Sequence, residues 1–159
     1  MYHELRKRGT RGQAGFTLFE VVCVIAVMAA LAAILLPSLP RGTSRARLEA
    51  YAIDVAALLK ADRNGALRRR VPITTELDPT ARTVRSGATG RVVTLPQDVG
   101  FNAVLARRCN QRVAGPTIRF FPSGMSCGGV VVLTRPGSGY EVRVNWLTGG
   151  VEVVQQNRT

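Results

Sequence analysis

The sequence predicts an α+β chain, a long N-terminal membrane-spanning helix continuing into a globular head of antiparallel β-sheets. Three observations carry that expectation. A basic leader gives way at Gly15 to an apolar run that includes sixteen uncharged residues from Val21 to Leu36. An amphipathic stretch follows at helical spacing. From Val71 the texture changes to short β-branched and aromatic runs separated by Gly, Pro, Asn, Asp and Ser. The expected segments are a leader over 1–15, an apolar helix over 16–39, its amphipathic continuation over 40–70 and a β-rich head over 71–159.

As a helix, Phe16 to Leu39 would extend roughly 36 Å, enough to span a bilayer. The leader carries Arg6, Lys7, Arg8 and Arg11, so the positive-inside rule places the head outside the cytoplasm. An ordinary secretory signal has its small-residue cleavage site after the apolar region. Here Gly15 comes before it. A cut between Gly15 and Phe16 would discard only the leader and leave the hydrophobic helix as the new N-terminus. Glu20 stands at the mouth of that helix, where an acid costs on the order of 2.5–3.5 kcal/mol at a membrane centre and less near an interface. A plain uncut signal anchor gains nothing from such an acid, so a functional role is the default.

Beyond Pro37 to Gly42, Leu48, Tyr51, Ala52, Val55, Leu58 and Leu59 recur at helical spacing, with Arg45, Arg47, Glu49, Asp54 and Lys60 between them. Asn64-Gly65 looks locally like a helix end, and the helix is expected to stop between Gly65 and Arg70. Strands are expected over Val71 to Leu77, Arg91 to Leu95, Thr117 to Phe121, Val130 to Arg135, Tyr140 to Leu147 and Val151 to Gln155. The strict alternation from Tyr140 to Trp146 sends its residues to opposite faces of a sheet, and Thr148-Gly149-Gly150 turns it into a hairpin. The arginine-bearing stretches from Pro79 to Gly90 and from Ala106 to Pro116 read as exposed loops. About 120 residues beyond Pro37 suffice for one compact domain and not two.

Two parts of the chain resemble a known family. Gly15-Phe16-Thr17-Leu18-Phe19-Glu20 resembles the leader junction of the type IV pilin and pseudopilin superfamily. That resemblance implies cleavage after Gly15 by a prepilin peptidase and methylation of the new terminal amine on Phe16. It also implies that Glu20 pairs with the terminal amine of a neighbouring subunit, and that Pro37 interrupts the helix. The run from Ile118 to Gly129, with Trp146-Leu147-Thr148-Gly149, looks like the C-terminal pattern of the GspH/FimT minor pilins and pseudopilins. Many relatives read FFPDGSSSGG and WLTGR there; this chain departs at Ser123, Cys127 and Gly150.

The resemblance implies a pilin-like fold and a minor pseudopilin of the H class in a type II secretion system. Such a subunit is held by one span in the bacterial inner membrane with a periplasmic head. Its partners would be other major and minor pseudopilins, the peptidase and the inner-membrane assembly platform. The alternative is a FimT-like minor type IV pilin that binds DNA for uptake.

Cys23 lies in the apolar run as a small apolar residue. Cys109 and Cys127 fall in the head, in an oxidising compartment where a pair of thiols tends to form a disulfide; unpaired buried thiols are the other reading. A zinc site is disfavoured because the one histidine, His3, leaves with the leader. Without histidine no Ser-His-Asp or Cys-His set can be built, and the glycine runs lack the lysine or helix that phosphate binding requires. No enzyme activity, metal or cofactor is expected. Glu76, Asp78 and Asp98 are too scattered for a calcium loop.

The chain carries +12, of which +9 remains after residues 1–15. Arg107, Arg108 and Arg112, or Arg68 to Arg70, are candidates for phosphate contacts under the DNA-binding alternative. A dispersed, solvated arginine face is the preferred reading. DNA-binding FimT-type members carry a GRxR motif near the C-terminus, and the matching place here reads Gly149-Gly150-Val151-Glu152.

Overall fold

The computed structural model describes residues 17–35 and 42–156, which belong to two compact units, 1–40 and 41–159. In the first unit, α1 spans Leu18–Leu35. Thr17 caps it: the Glu20 N–H donates to the Thr17 carbonyl at 3.0 Å and to its hydroxyl at 3.3 Å. Thr17-x-x-Glu20 therefore has the pattern of a capping box, and the acid stands in the positive first turn. The side chains of residues 18–33 are all exposed, and apolar residues surround the axis rather than forming one stripe. Among the described residues no helix is long and apolar enough to cross a membrane. The expected span of 16–39 reaches past α1 at both ends, and Gly15, Phe16 and Pro37 lie outside the described residues.

The head starts with α2, Arg45–Arg69. An unbroken helix entering the head is not found, because Thr43 and Ser44 are non-helical. Ser44 is extended, and its hydroxyl accepts the Arg47 N–H at 3.2 Å as an N-cap. Thr43 is held instead by Asp98, through its N–H at 2.5 Å and its hydroxyl at 3.0 Å. At the other end Arg68 and Arg69 sit in the last turn, where basic groups suit the helix dipole, and Arg70 closes the helix in the left-handed conformation at φ 56°. Gly65 lies inside the helix rather than at its end. A Cβ there would meet Ala88 Cβ and Ile73 Cδ1, each at 2.9 Å. The glycine lets the helix approach Ile73 of β1 and the turn after β2 closely.

Two antiparallel sheets flank α2. The first contains β1 Ile73–Asp78, β2 Thr83–Arg85, β3 Val92–Thr94 and β7 Thr117–Phe120, in the order β3-β2-β1-β7. The second contains β4 Gly100–Leu105, β8 Gly129–Arg135, β9 Ser138–Val144 and β10 Val151–Gln156, in the order β10-β9-β8-β4. A two-residue hairpin, β5 Arg108–Cys109 with β6 Arg112–Val113, stands apart. Leu48, Val55, Leu58 and Leu59 of α2 are buried among Val84, Ile118 and Phe120 of the first sheet and Val131, Leu133 and Val142 of the second.

The α+β expectation of a helix followed by antiparallel sheets holds in this head, with corrections to its parts. The stretches expected as loops contain β2 and the β5–β6 hairpin, and β4 was not expected at all. Each is short, or carries weak strand formers such as Asn102 and Ala103, and forms only because a partner strand supplies the ladder. The Tyr140 strand stops at Val144, short of Leu147. Asn145 ends it: its Oδ1 accepts the N–H groups of Leu147 at 2.9 Å and Thr148 at 3.0 Å.

Candidate functional site

Two stretches separated by 17 residues of chain, the Phe121–Cys127 turn and the Asn145–Gly150 turn, meet on the side chain of Arg63. The Arg63 guanidinium donates to the Thr148 carbonyl from Nε at 3.1 Å and from Nη2 at 2.9 Å, and reaches the Gly124 carbonyl at 3.4 Å. Gly149, at φ 61°, packs so closely that a Cβ would lie 2.1 Å from the Gly124 carbonyl oxygen. The Ser126 N–H donates to the Trp146 carbonyl and the Asn145 N–H to the Gly150 carbonyl, both at 2.9 Å. Ser126 Oγ adds a bond to the Asn145 carbonyl at 3.0 Å.

This rigid double turn holds apolar side chains outward. Trp146 is 62% exposed, Leu147 55% and Met125 37%. Trp146 and Met125 line an open depression with Phe121, Pro122 and Arg108. Sequence reasoning read the double turn as a family signature, and nothing local in Arg63 indicated that it joins the two halves.

Cys109 and Cys127 are joined as a disulfide with Cα atoms 5.5 Å apart, and Cys23 is free. The bond ties the β5–β6 hairpin to the first turn. With the cysteines 18 positions apart in the sequence, replacing both by serine is expected to lower the unfolding free energy by about 3 kcal/mol in the chain-entropy description. Thiol labelling of unfolded, non-reduced protein should find one free cysteine; three would refute the bond.

The hairpin's register separates the candidate arginines. Arg108 faces Val113 and Cys109 faces Arg112, so Arg108 and Arg112 project to opposite sides. Arg108 lines the Trp146 depression, while Arg112 lines another with Arg119, Asn110 and Gln111. Arg107 is exposed, and Arg69 donates to the Ala88 carbonyl at 3.1 Å.

Most of the acids are occupied within the head. Asp62, wholly buried on α2, accepts from the Thr75 hydroxyl at 2.5 Å, the Ser86 hydroxyl, the Gly87 N–H at 3.2 Å and the Ala88 N–H at 2.9 Å. It latches the helix to β1 and to the turn after β2. Its place three residues after Leu59 and four before Ala66 was the available sequence signal. Asp98 has its pKa lowered, first by the Thr43 N–H and then by the Thr43 hydroxyl. That tie is therefore complete at neutral pH and is lost only as pH falls through the lowered value.

Glu141 is lowered by Arg143 first and by Gln156 second. Asp78 turns the chain by accepting from the Thr80 and Ala81 N–H groups, both at 2.8 Å. Asp54 pairs with Arg91 at 3.3 Å. Among the described residues no cluster of His, Cys, Asp and Glu could hold a metal.

The prokaryotic N-terminal methylation motif matches residues 10–36, a range that includes Gly15, Phe16 and Glu20. No curated protein matches the chain. Among solved structures, the head is similar to the type IV minor pilin FimU of Pseudomonas aeruginosa, with TM-score 0.53 and 15% identity over 70% of this chain and 91% of that one. It is also similar to the minor pseudopilin EpsH from the Type 2 Secretion System of Vibrio cholerae, with TM-score 0.53 and 12% identity over 67% of this chain and 94% of that one. The chain thus carries a prokaryotic N-terminal methylation motif followed by a head with the pilin-like fold of minor pilins and pseudopilins.

Proposed function

We propose that the chain is a minor pseudopilin of the GspH type in a type II secretion system, a non-catalytic subunit assembled near the pseudopilus tip to support protein export across the outer membrane. The observation that carries this reading is the methylation motif on a pilin-like head. In it, prepilin peptidase cuts between Gly15 and Phe16, and the methylated Phe16 becomes the N-terminus. The helix from Phe16, with residues beyond those described, anchors the subunit in the inner membrane and later packs in the filament core. The head faces the periplasm. Partners are the other major and minor pseudopilins and the inner-membrane assembly platform.

Glu20 supplies the assembly charge. An exposed carboxylate in the first turn of an apolar helix gains most from a cation brought to it, and the terminal amine of a neighbouring subunit is such a cation. Glu20→Ala is therefore expected to insert in the membrane normally, since it removes an unfavourable charge, and to be absent from sheared filaments while its head melts unchanged. Normal incorporation would overturn the charge-pairing role. The DNA-receptor alternative is less well supported. Its candidate arginines, Arg108 and Arg112, stand on opposite sides of one hairpin, and Glu152 occupies the start of β10 where the DNA-binding relatives carry arginine.

A further inference from the structure

We propose that the double turn around Trp146 is a docking surface for an acidic head of a different filament subunit, and not for a second copy of this chain. The inference rests on reading the chain as a filament subunit. A tryptophan and a leucine exposed side by side are unusual on a soluble head, and such residues dominate interfaces when held rigidly. Here Asn145 Oδ1, the Ser126 N–H and the Arg63 guanidinium fix the turn that carries them. None of these bonds buries Trp146 or Leu147. The fold spends its hydrogen bonds on holding the backbone in place while the apolar side chains face solvent.

Charge selects the occupant. From residue 41 onward the chain has eighteen basic and eight acidic side chains. Six of the acids are engaged within the head: Glu49 with Tyr140, Asp54 with Arg91, Asp62 with Thr75 and Ser86, Asp78 with its own turn, Asp98 with Thr43, and Glu141 with Arg143. Among the described residues only Glu76 and Glu152 have no such partner. A second copy therefore presents arginines to Arg108 at the rim of the depression and offers almost no free acid in return. A partner with Asp or Glu beside an apolar side chain satisfies both the rim and the floor. Nucleic acid fits less well: Trp146 offers one stacking face, but Met125 and Leu147 beside it offer bases neither a stacking face nor a hydrogen bond, and Arg112 projects to the other side of the hairpin from Arg108.

The test places a photo-crosslinking benzoylphenylalanine at position Leu147 of the full-length chain in its own cells, with Val92 as the control position. The expected product is an adduct with another membrane-anchored subunit, attached at a segment that contains Asp or Glu. Arg108→Glu and Trp146→Ala should each reduce it about tenfold or more, with the melting temperature of the purified protein unchanged. Reversing the partner's acid to arginine should restore the adduct with Arg108→Glu. An adduct with a second copy, with nucleic acid, with lipid or with a basic segment overturns the proposal. So does an adduct no stronger than that from position 92, or one indifferent to both variants. N-terminal mass spectrometry of the same sample separates the two ideas: a methylated Phe16 without the adduct rejects the docking surface alone, whereas a retained Met1 rejects the filament reading and the partner class with it.

Discussion

Gly15→Leu is expected to leave the leader attached and to remove the subunit from filaments altogether. The prediction follows from the order of the segments: the small residue precedes the apolar run, so a cut at Gly15-Phe16 removes the leader and spares the helix. A bulky side chain there blocks a peptidase that requires a small residue before the bond. The uncut subunit keeps Arg6, Lys7, Arg8 and Arg11 at the cytoplasmic face and remains an anchor. It also has no amine beside the helix mouth to meet a neighbour's Glu20. Intact-mass measurement decides the matter: wild type should begin at a methylated Phe16 and the variant at Met1. A wild-type chain that begins at Met1 would sink the assignment.

Asp62→Ala is expected to destabilise the head by about 3–5 kcal/mol, a large share of a typical domain's stability. The substitution leaves the Thr75 and Ser86 hydroxyls and the Gly87 and Ala88 N–H groups without their acceptor in a site closed to water. Ser86 retains bonds to Thr89, so part of the network can relax. Asp62→Asn should be nearly as harmful, because one amide face turns a donor toward donors. Urea unfolding measures both. A loss of less than 1 kcal/mol in Asp62→Ala would show that the latch is dispensable.

The parts of the fold that sequence reasoning reached are those where one physical rule acts locally. Leu48, Ala52, Val55, Leu58 and Leu59 recur at helical spacing, and all are buried. Tyr140, Val142 and Val144 alternate with Glu141 and Arg143, and they face the core in β9. The parts it missed depend on a partner distant in the chain. The helix ends at Arg69, within the expected range from Gly65 to Arg70, but the reason for a glycine at 65, the close approach of Ala88 and Ile73, was invisible. Asp62 lies on the buried side of α2, and its role depends on four donors that arrive from β1 and the turn after β2. The strand β4 has little propensity of its own and forms on the edge of β8.

By itself the sequence determined the periodicities, the sign of the charge and the two motif-bearing ends, because these follow from residue types at short spacing. Only the tertiary structure decided that the Phe121–Cys127 and Asn145–Gly150 turns share Arg63, that the hairpin sets Arg108 and Arg112 on opposite sides, and that six acids of the head are engaged internally. Each of these is a long-range pairing. Its energy comes from pairing two groups that would be costly to desolvate alone, and neither group carries a mark of its partner in the chain around it.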